Sequence, residues 1–165
     1  VLTEDGWFST GDIGYLDQDN FLYITDRKKD IIVTAGGKNI APQTIENLLK
    51  LNRFVEQVCV IGDQRKYLTA LVVPSFQDLE SFAAENGIQT GDREAMVKDP
   101  RVQKLFQDAV DEVNAHLARY ETVKKFEVLP VEFTQETGEL TPTLKVKRKV
   151  VSNKYQGRID KMYSG

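Results

Sequence analysis

VEQVCVIGDQRKYLTALVV, residues 55–73, reads as two β-strands, Val55 to Ile61 and Leu68 to Val73, joined by the polar turn Gly62-Asp63-Gln64-Arg65-Lys66. Upstream of this pair, Pro42 suits the first turn of a helix whose Ile45, Leu48 and Leu49 share one face. Downstream, a short helix over Asp78 to Asn86 is expected to stop at Gly87, and a longer one runs from Pro100 to about Tyr120. Asp99 is placed to cap the longer helix, and Val102, Leu105, Phe106, Val110, Val113 and Leu117 form its apolar stripe. A third strand is read over Phe126 to Leu129, and a terminal helix after Arg148 aligns Val151, Tyr155, Ile159 and Met162. Three strands interleaved with helices make an α+β domain.

The first thirty residues differ in texture. Trp7-Phe8-Ser9-Thr10, Ile13-Gly14-Tyr15-Leu16 and Phe21-Leu22-Tyr23-Ile24 surround the turn Asp17-Gln18-Asp19-Asn20, which predicts a β-hairpin. The charged cluster Thr25-Asp26-Arg27-Lys28-Lys29-Asp30 then separates the hairpin from Ile31-Ile32-Val33 and marks a hinge between two units.

With 165 residues, 41% hydrophobic and 28% charged, the chain has the composition of a water-soluble globular domain, and no apolar run reaches the ~20 residues of a membrane span. No charged leader with an apolar stretch and small-residue cleavage site stands at the start of these residues. Cys59 is the one cysteine and lies in the apolar run Val58-Cys59-Val60-Ile61, so neither an internal disulfide nor a thiolate cage is available and a buried thiol is expected. His116 lacks companions for a metal site. The net charge of −3 hides an asymmetry: Leu144 to Lys161 carries seven cations and one acid, Asp160, so this tail is expected to meet an anion or to stay solvated.

No phosphate-binding loop, dinucleotide fingerprint, metal motif or Ser/His/Asp set appears, and three polar constellations remain. Asp12, in Ser9-Thr10-Gly11-Asp12, offers a carboxylate that can accept from the vicinal hydroxyls of a ribose; an aspartate so placed is, taken alone, more often a turn residue. Asp26-Arg27-Lys28-Lys29-Asp30, with Gly36-Gly37 beyond it, joins fixed positive charge to a backbone that permits close approach, or is a solvated linker. Gly138-Glu139-Leu140-Thr141-Pro142-Thr143-Leu144-Lys145-Val146-Lys147-Arg148 presents a lysine that can stabilise developing negative charge, although basic helix starts are also common solvated faces.

In order and spacing these constellations resemble the late motifs of the adenylate-forming superfamily, which includes acyl-CoA synthetases, peptide-synthetase adenylation domains and luciferases. The resemblance covers about Gly6 to Arg148. It implies that Asp12 and Arg27 hold the ribose of ATP, that Lys29 is the pivot, and that Gly36-Gly37, with Asn39-Ile40, Pro42 and Ile45-Glu46 after them, line the channel for the pantetheine arm of CoA. It also implies that Lys145, three residues before Arg148, is the catalytic lysine. Glycine usually precedes that lysine; Leu144 stands there instead, and with the lead-in Glu139 to Thr143 this is similar to the long-chain fatty acyl-CoA synthetase branch.

The implied chemistry has two steps: a fatty acid carboxylate and ATP give acyl-AMP and pyrophosphate, and CoA then displaces AMP. On this resemblance residues 1–28 end an N-terminal body and 29–165 form a mobile lid. The substrates are a fatty acid, ATP and CoA, with Mg2+ held by the N-terminal body. The partner is that body, the setting is the cytoplasm, with peripheral membrane contact left open, and no nucleic acid is involved. The segment alone is expected to be inactive. The competing readings are the lid of an acyl-AMP ligase that loads a carrier protein and a non-enzymatic module whose basic tail docks an anion.

Overall fold

The computed structural model describes residues 4–164, without the side chain of Asp26. Strands β1 (Asp12–Leu16) and β2 (Leu22–Arg27) form an antiparallel hairpin in a sheet of their own. Asp17 closes its turn, the carboxylate Oδ1 accepting from the backbone N–H of Asp19 and of Phe21, both at 2.9 Å. Two expectations change here. Trp7 to Thr10 forms no strand, Phe8 making only a single-residue bridge. The charged cluster is not all linker either: Thr25 to Arg27 continue β2, because Ile13 and Asp12 of β1 still have Asp26 and Arg27 as pairing partners. Only Lys28–Asp30 turn, as one 3-10 turn.

Past that turn, β3 (Ile32–Val33) and β4 (Asn39–Ile40) make a two-residue antiparallel ladder that leads into α1 (Pro42–Leu49). The main sheet is β5 (Val55–Ile61), β6 (Leu68–Pro74) and β7 (Val123–Val128), in the order β5-β6-β7. The β5–β6 pair is antiparallel, as a short turn permits, whereas β6–β7 is parallel and requires the long crossover through α2 (Phe76–Glu85), α3 (Arg93–Lys98) and α4 (Pro100–Asn114). Every residue of the central strand β6 is buried. Full burial of one such Leu or Val side chain contributes about 1.5–3 kcal/mol. Helices α5 (Arg148–Lys154) and α6 (Gln156–Tyr163) complete the domain, with Val151, Tyr155, Ile159 and Met162 buried as their spacing predicts.

Ends set by distant contacts differ from those read in the sequence. Helix α4 stops at Asn114, six residues early, where the Asn114 side chain fastens the chain that returns at Val123: Oδ1 accepts from Val123 N–H at 2.8 Å and Nδ2 donates to Val123 C=O at 2.9 Å. The same clamp starts β7 at Val123 instead of Phe126. The terminal helix is two helices, broken at Tyr155, whose φ −104° and ψ 18° lie outside helical geometry. Helix α2 begins at Phe76, before Asp78, and α3, capped by Asp92, was not expected at all.

Candidate functional site

Hairpin pairing brings Asp12 and Arg27 together. They face each other at the open end of the hairpin, with Arg27 Nε 3.4 Å from Asp12 Oδ1 and the side chains 59% and 31% exposed, respectively. The Gly11 carbonyl accepts from Lys28 N–H at 2.7 Å, tying the turn before Asp12 to the turn after Arg27. An exposed pair of this kind contributes about 0–1 kcal/mol, so a diol or phosphate can replace its internal contact at small cost.

Lys29 is exposed at the middle of the 3-10 turn, whose flanks are extended: Arg27 at φ −102°, ψ 139° and Ile31 at φ −58°, ψ 131°. Gly36 and Gly37 lie in the exposed turn between β3 and β4, organised by Thr34, whose C=O accepts from Gly37 N–H at 2.8 Å and whose Oγ1 accepts from Lys38 N–H at 3.1 Å. Gly37 needs its freedom, since φ is +73°. Gly36 does not need it for internal packing, because an added Cβ would meet only Thr34 Oγ1 at 3.9 Å.

Lys145 stands, exposed, on a loop closed like a small hairpin. Leu140 bridges Val146, Thr141 N–H donates to Lys145 C=O at 2.8 Å, Lys145 N–H donates to Thr141 Oγ1 at 3.0 Å, and Lys147 N–H donates to Glu139 C=O at 2.7 Å. Leu144 holds the left-handed φ of +59°, where glycine is the unstrained residue. No ion pair joins Lys145 to Asp12.

Two buried carboxylates secure this loop. Glu139, fully buried, receives Lys154 Nζ and the Thr137 hydroxyl. Burial alone would raise its carboxyl pKa, but those hydrogen bonds prevail and hold it below the usual range, while the same contact raises Lys154. Glu46 of α1, 4% exposed, accepts from Arg148 Nη1 at 2.5 Å and from Val60 N–H at 2.9 Å. Arg148 Nη1 also reaches the Val60 carbonyl at 2.6 Å and Cys59 Sγ at 3.5 Å. Burial pushes the Cys59 thiol up to about 12, with the Arg148 guanidinium pulling the other way, so it stays protonated and poorly nucleophilic at neutral pH.

These pairs narrow the reading of the basic tail as an anion-facing or solvated run, which holds for the exposed Lys145, Lys147, Lys149 and Lys161. Arg148, Lys154 and Arg158 are paired inside the fold with Glu46, Glu139 and Glu127. The tail's single acid, Asp160, pairs in turn with Arg65. Much of the charge asymmetry is therefore internal complementarity between the tail and acids earlier in the chain.

The family model for the AMP-binding enzyme C-terminal domain matches residues 29–165. The chain belongs to that family. Within it, this AMP-binding C-terminal domain is 43% identical over 97% of its length to the long-chain-fatty-acid–CoA ligase FadD15 of Mycobacterium tuberculosis, covering 27% of that protein. It is 37% identical over 99% of its length to the human long-chain-fatty-acid–CoA ligase ACSBG1, covering 25% of it. The crystal structure of the adenylation domain of a carboxylate reductase from Mycobacterium chelonae superimposes with a TM-score of 0.80 at 29% identity, over the whole of this chain and 24% of that one. The chain thus spans about a quarter of the length of the curated relatives it matches.

Among the described residues no group of three or more His, Cys, Asp or Glu stands ready to hold a metal ion. Nor is any described helix long and apolar enough to cross a membrane. A cleft of about 770 Å3 beside α2, lined by Glu56, Gln57, Arg93 and Glu132 among others, contains none of the site residues read from the sequence. What the sequence reading missed is the Glu46–Arg148 pair: its members are separated by most of the chain, and no spacing signal links them.

Proposed function

We propose that residues 29–165 are the mobile lid, and residues 1–28 the last part of the catalytic body, of an AMP-forming long-chain fatty acid–CoA ligase. The observation that carries this reading is an exposed lysine, Lys145, at the tip of a loop whose base is secured by buried carboxylates. A mobile lysine would lose entropy at each turnover, whereas a loop held in place offers its charge without reorganisation. Identity to two proteins named as long-chain-fatty-acid–CoA ligases supports the substrate class.

In the first step a fatty acid carboxylate oxygen attacks the α-phosphorus of ATP and pyrophosphate leaves. Asp12 accepts hydrogen bonds from the ribose hydroxyls, Arg27 approaches the same sugar, and Lys145 stabilises the charge developing at the reacting oxygens. In the second step the CoA sulfur attacks the acyl carbonyl carbon and AMP leaves. Rotation about Lys29 withdraws Lys145 and brings Gly36-Gly37 to the pantetheine, where the absence of a Cβ gives the arm room. Internal pairing of Arg148, Lys154 and Arg158 weighs against a tail that docks nucleic acid or membrane.

The test is Lys145→Ala in the full-length protein. Formation of acyl-AMP should slow by ~100-fold or more, while thioester formation from supplied acyl-AMP stays nearly unchanged. Equal loss in both steps would show that Lys145 serves the fold instead.

A further inference from the structure

We infer that Arg148, held by Glu46, is the positioning residue that sets Lys145 for adenylation. This rests on the reading of Lys145 given above and adds the device by which the lysine is held.

The loop has two arms, and each ends on its own buried carboxylate. The arm before the tip ends at Glu139, which ties to Lys154 of α5. The arm after the tip ends at Arg148, three residues beyond Lys145, whose Nη1 is shared between Glu46 at 2.5 Å and the Val60 carbonyl at 2.6 Å. One guanidinium therefore fixes the second arm to helix α1 and to strand β5 of the main sheet at once. Glu46 is fixed in turn, since it also accepts from Val60 N–H at 2.9 Å. Its side chain is 5% exposed and that of Arg148 21%, so water competes little for these contacts. A lysine ammonium has donors enough for both acceptors, but its stem is shorter than that of arginine, so its nitrogen would not reach the place that Nη1 takes between them.

The position of Glu46 adds a second consequence. It lies on α1, immediately after the Gly36-Gly37 turn and β4, so the pair joins the element carrying the glycine turn to the element carrying Lys145. The two surfaces that alternate at the reaction centre then move as one rigid piece.

Misplacing a catalytic group by about 1 Å from a distant change can cost ~100-fold in rate. In the full-length ligase, Arg148→Met should lower kcat for acyl-AMP formation by about 10- to 100-fold with little change in KM for ATP, and should slow thioester formation from supplied acyl-AMP several-fold less. Arg148→Lys should recover only part of the loss. Because the effect runs through Lys145, Arg148→Met should add less than about twofold to the defect of Lys145→Ala.

Glu46→Gln keeps volume and the oxygen that accepts from both Val60 N–H and Arg148 Nη1 but removes the charge, and should show a smaller adenylation defect of the same kind even if Arg148→Met does not fold. Wild-type adenylation in both variants, equal loss of the two half-reactions, or a full multiplicative loss on top of Lys145→Ala would each overturn the inference. If Lys145→Ala alone leaves adenylation intact, the reading of Lys145 falls and the inference falls with it.

Discussion

Leu144 sits at φ +59°, two-thirds exposed, immediately before the proposed catalytic lysine. An L-residue in the left-handed region costs roughly 1–2 kcal/mol, which glycine avoids, while glycine's freer unfolded chain returns roughly 0.4–1 kcal/mol of that gain. Little burial is lost, so Leu144→Gly should stabilise the domain by about 0.5–1 kcal/mol; urea denaturation would register it, and a destabilised variant would mean that the Leu144 side chain has an apolar partner. The sequence shows only that glycine is absent where the related motif has it. It could not show that the backbone there still has the glycine conformation, because φ follows from the Thr141–Lys145 closure of the loop. Asp12, Arg27, Gly36, Gly37 and Lys145 were legible because short local motifs carry them. The pairing of Glu46 with Arg148 was not, although both stand in those motifs, since only the packing of α1 and α5 against β5 makes them neighbours.

At the scale of elements, boundaries were legible where chemistry changes along the chain. Strands β5 and β6 fall where apolar runs meet the polar turn at 62–66. They were illegible where a contact across the fold decides, as with Asn114 clamping Val123. The proposed hinge lies in a charged cluster that the sequence shows, but only Lys28–Asp30 of it turn. Its 3-10 turn, Lys28–Asp30, implies φ of about −50° to −70° at Lys29, close to the value proline fixes. Lys29→Pro should therefore keep one pose of the lid while resisting the backbone rotation to another, although proline also disfavours the helical region for Lys28. In the full-length protein, single-turnover assays should find acyl-AMP formation within several-fold of wild type and thioester formation slowed on the order of tenfold or more. Slow adenylation with normal thioester formation would move the pivot elsewhere.

Over the whole molecule the apolar surface is divided unevenly. The buried core begins at Ile32, and the hairpin before it contributes none of its members. Instead Trp7, Phe8, Leu16, Phe21, Leu22 and Ile24 are each more than half exposed. Exposure of so many large apolar side chains in one hairpin marks surface made to be covered, and the proposed catalytic body, which the longer relatives have room to include, is the proposed cover. On that proposal the hairpin belongs with the body and the rest of the chain with the lid, β2 meeting the lid at α1. A protein made of residues 29–165 should accordingly fold alone, with a thermal midpoint within about 3 °C of that of residues 1–165, since less than about 1 kcal/mol is at stake. It should also aggregate less at high concentration, having shed the exposed patch. Neither protein should release pyrophosphate from ATP and a fatty acid, because both lack a phosphate-binding loop and a metal-holding cluster among the described residues. A midpoint lowered by 10 °C would place the hairpin in the lid's own fold, and pyrophosphate release by either protein would mean that the catalytic body is not needed.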